Sequence, residues 1–290
     1  METPNHILQK YWGHDDFREL QEDIIQQVLQ DKDVIALMPT GGGKSLCFQV
    51  PALMKPGLCL VISPLVALME DQVTSLNNKG IKALALIGGT HYSEVDDLLD
   101  NCIYGNYKFL YLSPERLQQE LVQERIRQMN INLIAVDEAH CISQWGHDFR
   151  PAYRNICQLR ELQPKANFIA LTATATVEVV EDISRQLKLN SPAIFKKSFE
   201  RKNISYEVWK VEDKLYYLEK LLGQHEESAI IYVRSRKSTV DISTYLQKKG
   251  ISSEAYHGGL SRKERSKQLQ DWLQGKKRVM VATSAFGMGI

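Results

Sequence analysis

Short apolar runs alternate along the chain with longer stretches whose apolar residues recur at helical spacing. The runs are rich in β-branched and aromatic residues and nearly free of polar positions. They lie at 34–38, 59–63, 109–113, 133–137, 168–172, 230–233 and 279–283. Runs of this kind are typical of strands that are buried on both faces in a parallel sheet.

The stretches between the runs predict amphipathic helices. They cover 15–30, 64–79, 115–129, 177–188, 213–224, 236–249 and 261–274. At the start of the last stretch, Ser261 stands three positions before Glu264, which is the sequence pattern of a capping box. Because strands and helices alternate, the sequence predicts an α/β fold of the doubly wound type.

Charge is divided unequally along the chain. The formal net charge is +1, but residues 1–195 carry −7 and residues 196–290 carry +8. We therefore expect two lobes, 1–197 and 209–290, joined by a linker at 198–208, with the second lobe incomplete. A basic second lobe suits a polyanionic partner, although solvated basic helix faces would give the same balance.

The composition predicts a soluble protein that makes no membrane contact. No apolar stretch approaches the roughly 18 to 20 residues of a membrane helix, and the N-terminus lacks the basic start and apolar core of a signal peptide. The five cysteines are odd in number and never spaced as CxxC, so we expect reduced thiols and no zinc site within this chain. The expected location is a bacterial-type cytoplasm or nucleoid.

A glycine-rich segment, MPTGGGKS at 38–45, follows a strand and precedes a helical stretch. Glycines allow successive backbone N–H groups to point at phosphates. Lys44 would then reach the β- and γ-phosphates, and the Ser45 hydroxyl would bind Mg²⁺. Met38 replaces the first glycine of the general GxxxxGK[ST] pattern, and a flexible turn is the alternative. The expected ATP-binding residues of this segment are Thr40, Gly41, Gly42, Gly43, Lys44 and Ser45.

The apolar run at 133–137 ends in an acidic pair: Asp137 is its last residue and Glu138 follows it. The carboxyl edge of a parallel sheet would place them beside the glycine-rich segment. We expect Asp137 to hold Mg²⁺ and Glu138 to orient and deprotonate the attacking water, although a solvated strand end would also explain DEAH alone. The threonine segment, LTATAT at 171–176, ends the next strand-like run, where its hydroxyl residues could bridge the acidic pair to a polymer site or form a helix N-cap cluster.

These segments together resemble the superfamily 2 helicases, and the residues that follow narrow the resemblance to the RecQ family of DNA helicases. The stretch DEAHCISQWGHDFR at 137–150 is similar to that family's catalytic motif and aromatic-rich loop, which couples single-stranded DNA binding to ATP hydrolysis. Exposed Trp145 and Phe149 could stack on bases, whereas the alternative is an aromatic pair in the core. The resemblance gives His140 a catalytic role and assigns DNA binding or coupling to Ser143, Gln144, Trp145, His147, Phe149, Arg150, Thr172, Thr174 and Arg236.

The resemblance covers essentially the whole chain. FRELQ at 17–21 resembles the family's adenine-reading motif, which implies that Arg18 and Gln21 bind the base, with His14 where some relatives have a stacking tyrosine. The family's fold implies two RecA-like P-loop lobes with mainly parallel sheets, and ATP with Mg²⁺ in the cleft between them. Its activity implies ATP-driven 3′-to-5′ translocation on single-stranded DNA with unwinding of duplex DNA, in DNA repair and recombination.

The sequence departs from the family after 287–289, where a motif with arginine fingers (QxxGRxGR) and the zinc-binding and winged-helix domains do not follow. An arginine finger contributes roughly 10³ to 10⁵ in rate, so the chain as given could bind ATP and DNA without efficient turnover. Two other hypotheses are an RNA-directed DEAH-type ATPase, against which Gln144 and Trp145 argue, and a non-enzymatic module that grips nucleotide and nucleic acid.

Overall fold

The computed structural model describes residues 2–39, 41–88, 92–146, 148–198 and 203–287. The chain divides into two compact units, Met1–Arg201 and Lys202–Ile290, and each unit has its own parallel sheet and apolar core. Within the described ranges, no helix has the length and apolar character needed to span a membrane.

A seven-stranded sheet forms the centre of the first unit. Its strands are β1 (Val34–Leu37), β2 (Leu58–Ile62), β3 (Ala83–Leu86), β4 (Phe109–Leu112), β5 (Ile131–Val136), β6 (Asn167–Thr172) and β7 (Ala193–Lys196). The spatial order is β3-β4-β2-β5-β6-β1-β7, and every neighbouring pair is parallel. This arrangement confirms the α/β class that the apolar runs predict.

Helices cover both faces of this sheet, so neighbouring residues of one strand enter different cores. Leu60 and Ile134 pack in one apolar cluster, while the next residues along, Val61 and Ala135, pack in the other. The helices are α1 (Pro4–Trp12), α2 (Gln21–Leu29), α3 (Leu46–Met54), α4 (Val66–Asn78), α5 (Tyr92–Tyr104), α6 (Glu120–Gln128), α7 (Leu159–Leu162) and α8 (Val177–Gln186), with 3₁₀ helices at Pro114–Gln118, Ala139–Ile142 and Pro151–Gln158.

The second unit contains a smaller parallel sheet. Its elements are α9 (Lys214–Gln224), β8 (Ala229–Tyr232), α10 (Arg236–Lys248), β9 (Ser253–Tyr256), α11 (Arg262–Leu273) and β10 (Val279–Ala282), with strand order β8-β10-β9. The capping box at the start of α11 is confirmed: the Glu264 N–H donates to Ser261 Oγ at 3.3 Å, and the Ser261 N–H donates to Glu264 Oε2 at 2.8 Å.

Three strands were missed by the pattern, and all three lie at sheet edges. β3 and β7 are the edges of the large sheet and β9 is an edge of the small one. β7 and β9 contain polar or charged residues that shorten the apolar run, as is common where a strand is paired on one side only, whereas β3 (ALAL) is an apolar run that the pattern analysis did not assign. In β7, for example, burial alternates along the strand and Ile194 is exposed.

Two of the predicted helices were wrong in extent. The stretch 15–30 is helical only from Gln21, because Leu20 adopts a left-handed φ of 68° that a helix cannot accommodate. The stretch 115–129 is a 3₁₀ turn followed by α6, and extended Gln119 separates the two. The five cysteines are free thiols, four of them buried and Cys157 half-buried.

A buried aspartate joins three strands of the large sheet at their amino ends. Asp33 precedes β1, and its carboxylate accepts from the N–H of Phe168 at 2.8 Å and of Asn190 at 2.7 Å. The guanidinium of Arg160 pairs with the same carboxylate and stacks 4.0 Å from the centroid of the Phe168 ring. The Asp33 carbonyl also accepts from the Ala193 N–H at 2.9 Å, at the start of β7.

Asp33→Ala should lower the free energy of unfolding of the first unit by about 3 kcal/mol, because it leaves the half-buried Arg160 charge and the Phe168 and Asn190 N–H groups without their partner. Urea denaturation followed by circular dichroism would measure the loss. Asp97→Ala, at an exposed position of α5, is the matched control, with an expected change of about 0.5 kcal/mol or less. Equal stability of the two variants would contradict the structural role of Asp33.

Candidate functional site at the carboxyl edge of the large sheet

Three neighbouring strands, β5, β6 and β1, end at the same edge of the sheet. Beyond the strand ends, the Met38 N–H donates to the Thr172 carbonyl at 3.0 Å, and the Asp137 N–H donates to the Ile62 carbonyl at 2.8 Å. Parallel pairing therefore brings the glycine-rich segment, the acidic pair and the threonine segment together, although they are far apart in sequence.

The glycine-rich segment needs its glycines. Gly41 and Gly43 both have φ of +76°, which side chains other than glycine rarely adopt. A Cβ at Gly43 would also collide with the Gln21 amide, and a Cβ at Gly42 would lie 2.8 Å from the Pro39 carbonyl oxygen. The loop is thus held in a tight curl before α3. Thr40, expected to bind ATP, lies outside the described residues.

Arg18 and Gln21 contact the glycine-rich segment from the preceding part of the chain. Gln21 is buried, and its Nε2 donates to the Gly43 carbonyl at 3.0 Å. Its Oε1 accepts from the Arg18 N–H at 2.8 Å, while the Arg18 guanidinium donates to the Gly41 carbonyl at 2.7 Å. Both residues therefore brace the loop, and their role in reading adenine stays a prediction, as does that of exposed His14.

Lys44 and Ser45 lead from the loop into α3. The Lys44 ammonium lies 3.4 Å from the Met38 carbonyl and acts electrostatically on Asp137 and Glu138. A small cavity beside the loop is lined by the polar residues Ser45, Ser63 and Asp137, among others. Hydroxyl and carboxylate oxygens thus share one cavity next to the lysine.

The acidic pair has an unusual backbone and shifted acidities. The Glu138 N–H donates to Asp137 Oδ1 at 3.0 Å, and Glu138 has a left-handed φ of 47°. Burial raises the pKa of Asp137, against the opposing effects of that backbone hydrogen bond and of Lys44. Burial and the neighbouring Asp137 charge raise the pKa of Glu138 to about 6.

His140 connects the acidic pair to the threonine segment. Its Nδ1 lies 2.9 Å from Thr172 Oγ1 and 3.3 Å from Glu138 Oε2. The Thr172 hydroxyl also donates to the Thr174 carbonyl at 3.1 Å. Thr176, at the end of the threonine segment, is the N-cap of α8, and its side chain accepts from the Val179 N–H. One threonine of the segment therefore acts as the helix cap that the alternative predicts.

The aromatic-rich loop follows directly. Trp145 is 78% exposed, so the alternative of an aromatic pair in the core is wrong. Phe149 is half-buried, with the Arg154 guanidinium 5.2 Å from its ring centroid. The Arg150 guanidinium donates to the Pro64 carbonyl at 3.2 Å and pairs with Asp148 at 3.3 Å.

The other residues expected to contact DNA differ in accessibility. Gln144 is exposed, but Ser143 is fully buried and its hydroxyl accepts from the Trp145 N–H at 3.2 Å. Ser143 therefore shapes the loop from inside. His147 lies outside the described residues, and Arg236 is exposed at the first position of α10 in the second unit.

Two contacts at the acidic pair had no signal in the sequence. The Tyr153 hydroxyl donates to the Asp137 carbonyl at 2.9 Å, and Ser63 Oγ lies 3.5 Å from Asp137 Oδ2. Neither Ser63 nor Tyr153 is among the site residues that the sequence predicts. Only the fold places their hydroxyls here. In the described part of the chain, no three His, Cys, Asp or Glu side chains form a cluster that could hold a metal ion.

Two family models match the chain. The DEAD/DEAH box helicase model matches residues 18–183, and the helicase conserved C-terminal domain model matches residues 213–290. The chain is 42% identical over 287 residues to the ATP-dependent DNA helicase RecQ of Bacillus subtilis, covering 98% of this chain and 49% of that protein. It is 42% identical over 293 residues to the RecQ helicase of Pasteurella multocida, covering 100% of this chain and 46% of that one.

The chain thus spans about half the length of these relatives. A crystal structure of the DUF1998 helicase MrfA bound to DNA and AMPPNP matches with a TM-score of 0.75 and 19% identity, over 99% of this chain and 44% of that one. At that identity the likeness establishes the fold, which agrees with the RecA-like lobes expected from the sequence.

Glu138→Gln should raise the free energy of unfolding by about 2 kcal/mol near pH 7.5 and by almost nothing near pH 4. The reason is that folding favours the protonated carboxyl, whose pKa rises from 4.5 to about 6. The wild-type chain therefore loses stability as the pH rises from about 4.5 through about 6, because the Glu138 carboxyl ionises. The Glu138→Gln variant does not lose that stability, because glutamine cannot ionise. Urea denaturation at both pH values measures the difference.

Glu226→Gln, at an exposed position in the second unit, is the control and should change stability little at either pH. A Glu138→Gln variant with the same stability as wild type at the higher pH would show that the Glu138 carboxyl is not destabilised by its surroundings.

Proposed function

Since this chain belongs to the DEAD/DEAH box helicase family and has a helicase core of the RecQ type, we propose that it is an ATP-dependent DNA helicase. It hydrolyses ATP, moves 3′ to 5′ along single-stranded DNA and separates the duplex ahead. Its expected setting is DNA repair and recombination in the cytoplasm or nucleoid.

One observation carries this proposal: Lys44 and Ser45 of the glycine-rich segment lie at the same sheet edge as Asp137 and Glu138. The aromatic-rich loop, residues 141–150, follows the acidic pair directly in the chain. A phosphate cradle, an acidic pair and an exposed indole are the parts that a nucleic-acid-stimulated nucleotide hydrolase requires.

The small cavity beside the loop is lined in part by oxygen donors that suit Mg²⁺, and the rest of its lining is mainly apolar. Mg²⁺ prefers hard oxygen ligands and usually keeps several waters, with one or two carboxylates and the substrate phosphates. The Ser45 hydroxyl and the half-buried Asp137 carboxylate supply that chemistry, and together they would hold the ion. When bound, the ion would neutralise charge that develops on the phosphates.

Glu138 is the general base of this proposal, and Lys44 binds the β- and γ-phosphates. The pKa of Glu138, about 6, leaves the carboxylate mostly ionised near pH 7 and close enough to neutrality to accept a proton from water. His140 relays the state of Glu138 to Thr172 through the two contacts of its Nδ1.

DNA is favoured over RNA as the polymer. The curated relatives are named DNA helicases, and the exposed Trp145 offers a stacking platform that tolerates any base. Phosphate release by the chain with ATP and Mg²⁺ should rise strongly when single-stranded DNA is added. Stronger stimulation by RNA would favour the RNA-directed alternative, and a chain that binds ATP without turnover would favour the binding-module alternative.

Lys44→Ala should weaken ATP binding by about 10- to 100-fold and abolish hydrolysis, because it removes a charged hydrogen-bond donor from the phosphates. Binding is measured with a fluorescent ATP analogue, and circular dichroism confirms the fold. Lys165→Ala, at an exposed position of the same unit, should behave as wild type. Normal hydrolysis by Lys44→Ala would refute the assignment of the phosphate loop.

Trp145→Ala should reduce the stimulation of hydrolysis by single-stranded DNA about tenfold, since stacking of a base on an aromatic ring is worth ~1 to 3 kcal/mol. The KM for ATP should stay the same, because the indole is exposed and the proposed stacking contact is with DNA. Tyr104→Ala is the matched control: Tyr104 is also aromatic and is 76% exposed at the end of α5. Full stimulation in Trp145→Ala would remove the loop from the coupling mechanism.

A further inference from the structure

The peptide that joins Asp137 to Glu138 is held at both ends. Its N–H, from Glu138, donates to Asp137 Oδ1 at 3.0 Å. Its carbonyl, from Asp137, accepts from the Tyr153 hydroxyl at 2.9 Å. The orientation of this peptide sets the direction in which the Glu138 side chain leaves the backbone.

The held conformation is one that the backbone would not choose by itself. Glu138 has a φ of 47°, in the left-handed region that costs a side-chain-bearing residue on the order of 1 to 2 kcal/mol. Such a conformation persists only where its surroundings impose it. The two hydrogen bonds to the peptide are contacts of the kind that can impose it.

Tyr153 is well placed to act as a rigid anchor. Its side chain is fully buried in the 3₁₀ helix Pro151–Gln158 and packs in the same apolar cluster as Ala139 and Ile142. Burial raises the pKa of Tyr153 well above its usual value, so the hydroxyl keeps its proton and remains a donor. The preceding Arg150 bonds its N–H to the Cys141 carbonyl at 2.8 Å, which fixes the chain on either side of the aromatic-rich loop.

We propose that Tyr153 is a positioning residue for ATP hydrolysis, which rests on the proposed function: its hydroxyl fixes the Asp137 carbonyl and thereby aims the Glu138 carboxylate at the attacking water. The Tyr153 hydroxyl bonds the backbone carbonyl of Asp137 and not its carboxylate. It acts through the backbone, so its loss changes the rate of the chemical step and leaves the binding of ATP intact.

Tyr153→Phe tests this inference because it removes one oxygen atom and keeps the buried ring. The kcat for ATP should fall about tenfold, with the KM for ATP changed less than twofold, since small misplacements of a catalytic group cost about that much or more. Amide hydrogen exchange of residues 137–143 should become about fivefold faster, as expected for the loss of one hydrogen bond.

Tyr245→Phe is the matched control. It also removes a hydrogen-bonded tyrosine hydroxyl, which donates to Glu219 Oε2 at 2.6 Å in the second unit. This variant should keep the wild-type kcat and the wild-type exchange rate of residues 137–143. A Tyr153→Phe variant with unchanged kcat, or with a lower kcat but unchanged exchange at 137–143, would overturn the proposal.

The two proposals fail in different ways. If wild-type protein hydrolyses ATP and Lys44→Ala does not, the proposed function stands whatever Tyr153→Phe does. If wild-type protein shows no turnover with any nucleic acid, the proposed function is contradicted and the positioning role in hydrolysis falls with it. The exchange rate of residues 137–143 then still establishes whether the Tyr153 hydroxyl holds the peptide.

Discussion

Parallel pairing of β5, β6 and β1 is the constraint on which the candidate site depends. The register sets Leu37 beside Thr172, so β1 and β6 end at one level, and it sets Val136 beside Ala170, so β5 ends two residues earlier at the same edge. Each following segment then starts from a fixed point: the phosphate loop after β1, the acidic pair after β5 and the threonine segment after β6. Backbone hydrogen bonds just beyond the strand ends fix the first residues of these segments as well. The pairing of the strands is therefore enough to bring the site residues together.

Electrostatic imbalance at this edge makes the site receptive to a cation. Asp137 and Glu138 are adjacent carboxylates withdrawn from water, and the single ammonium of Lys44 opposes the rise of both pKa values without cancelling it. The surplus of negative charge costs stability in the free protein. Binding of a divalent cation with the nucleotide would relieve the repulsion between the two carboxylates. The free energy that this repulsion costs in the free protein would then add to the affinity for the ligand.

Central strands and the residues of contiguous motifs could be predicted from sequence, because burial on both faces and close spacing leave local patterns. The edge strand β8 could also be predicted, from its apolar run at 230–233, whereas the edge strand β7 could not, since its apolar run is short and ends at Lys196. The same division applies to the site. Lys44 and Asp137 stand in motifs, whereas Tyr153 is recognisable only once the fold brings its hydroxyl to the Asp137 carbonyl. The φ of Glu138 is likewise a property of its surroundings and has no local signal.

The strand order also has a consequence for protein synthesis. β1 leaves the ribosome well before its two neighbours in the sheet, β6 and β7, where Val34 pairs with Ile169 and Ala193. At ~5 to 20 residues per second, the nascent chain must wait roughly 8 to 30 s before β1 can be enclosed. During that interval an apolar segment and an unformed phosphate loop are exposed to chaperones. Nucleotide therefore cannot assist folding until the first unit is almost complete.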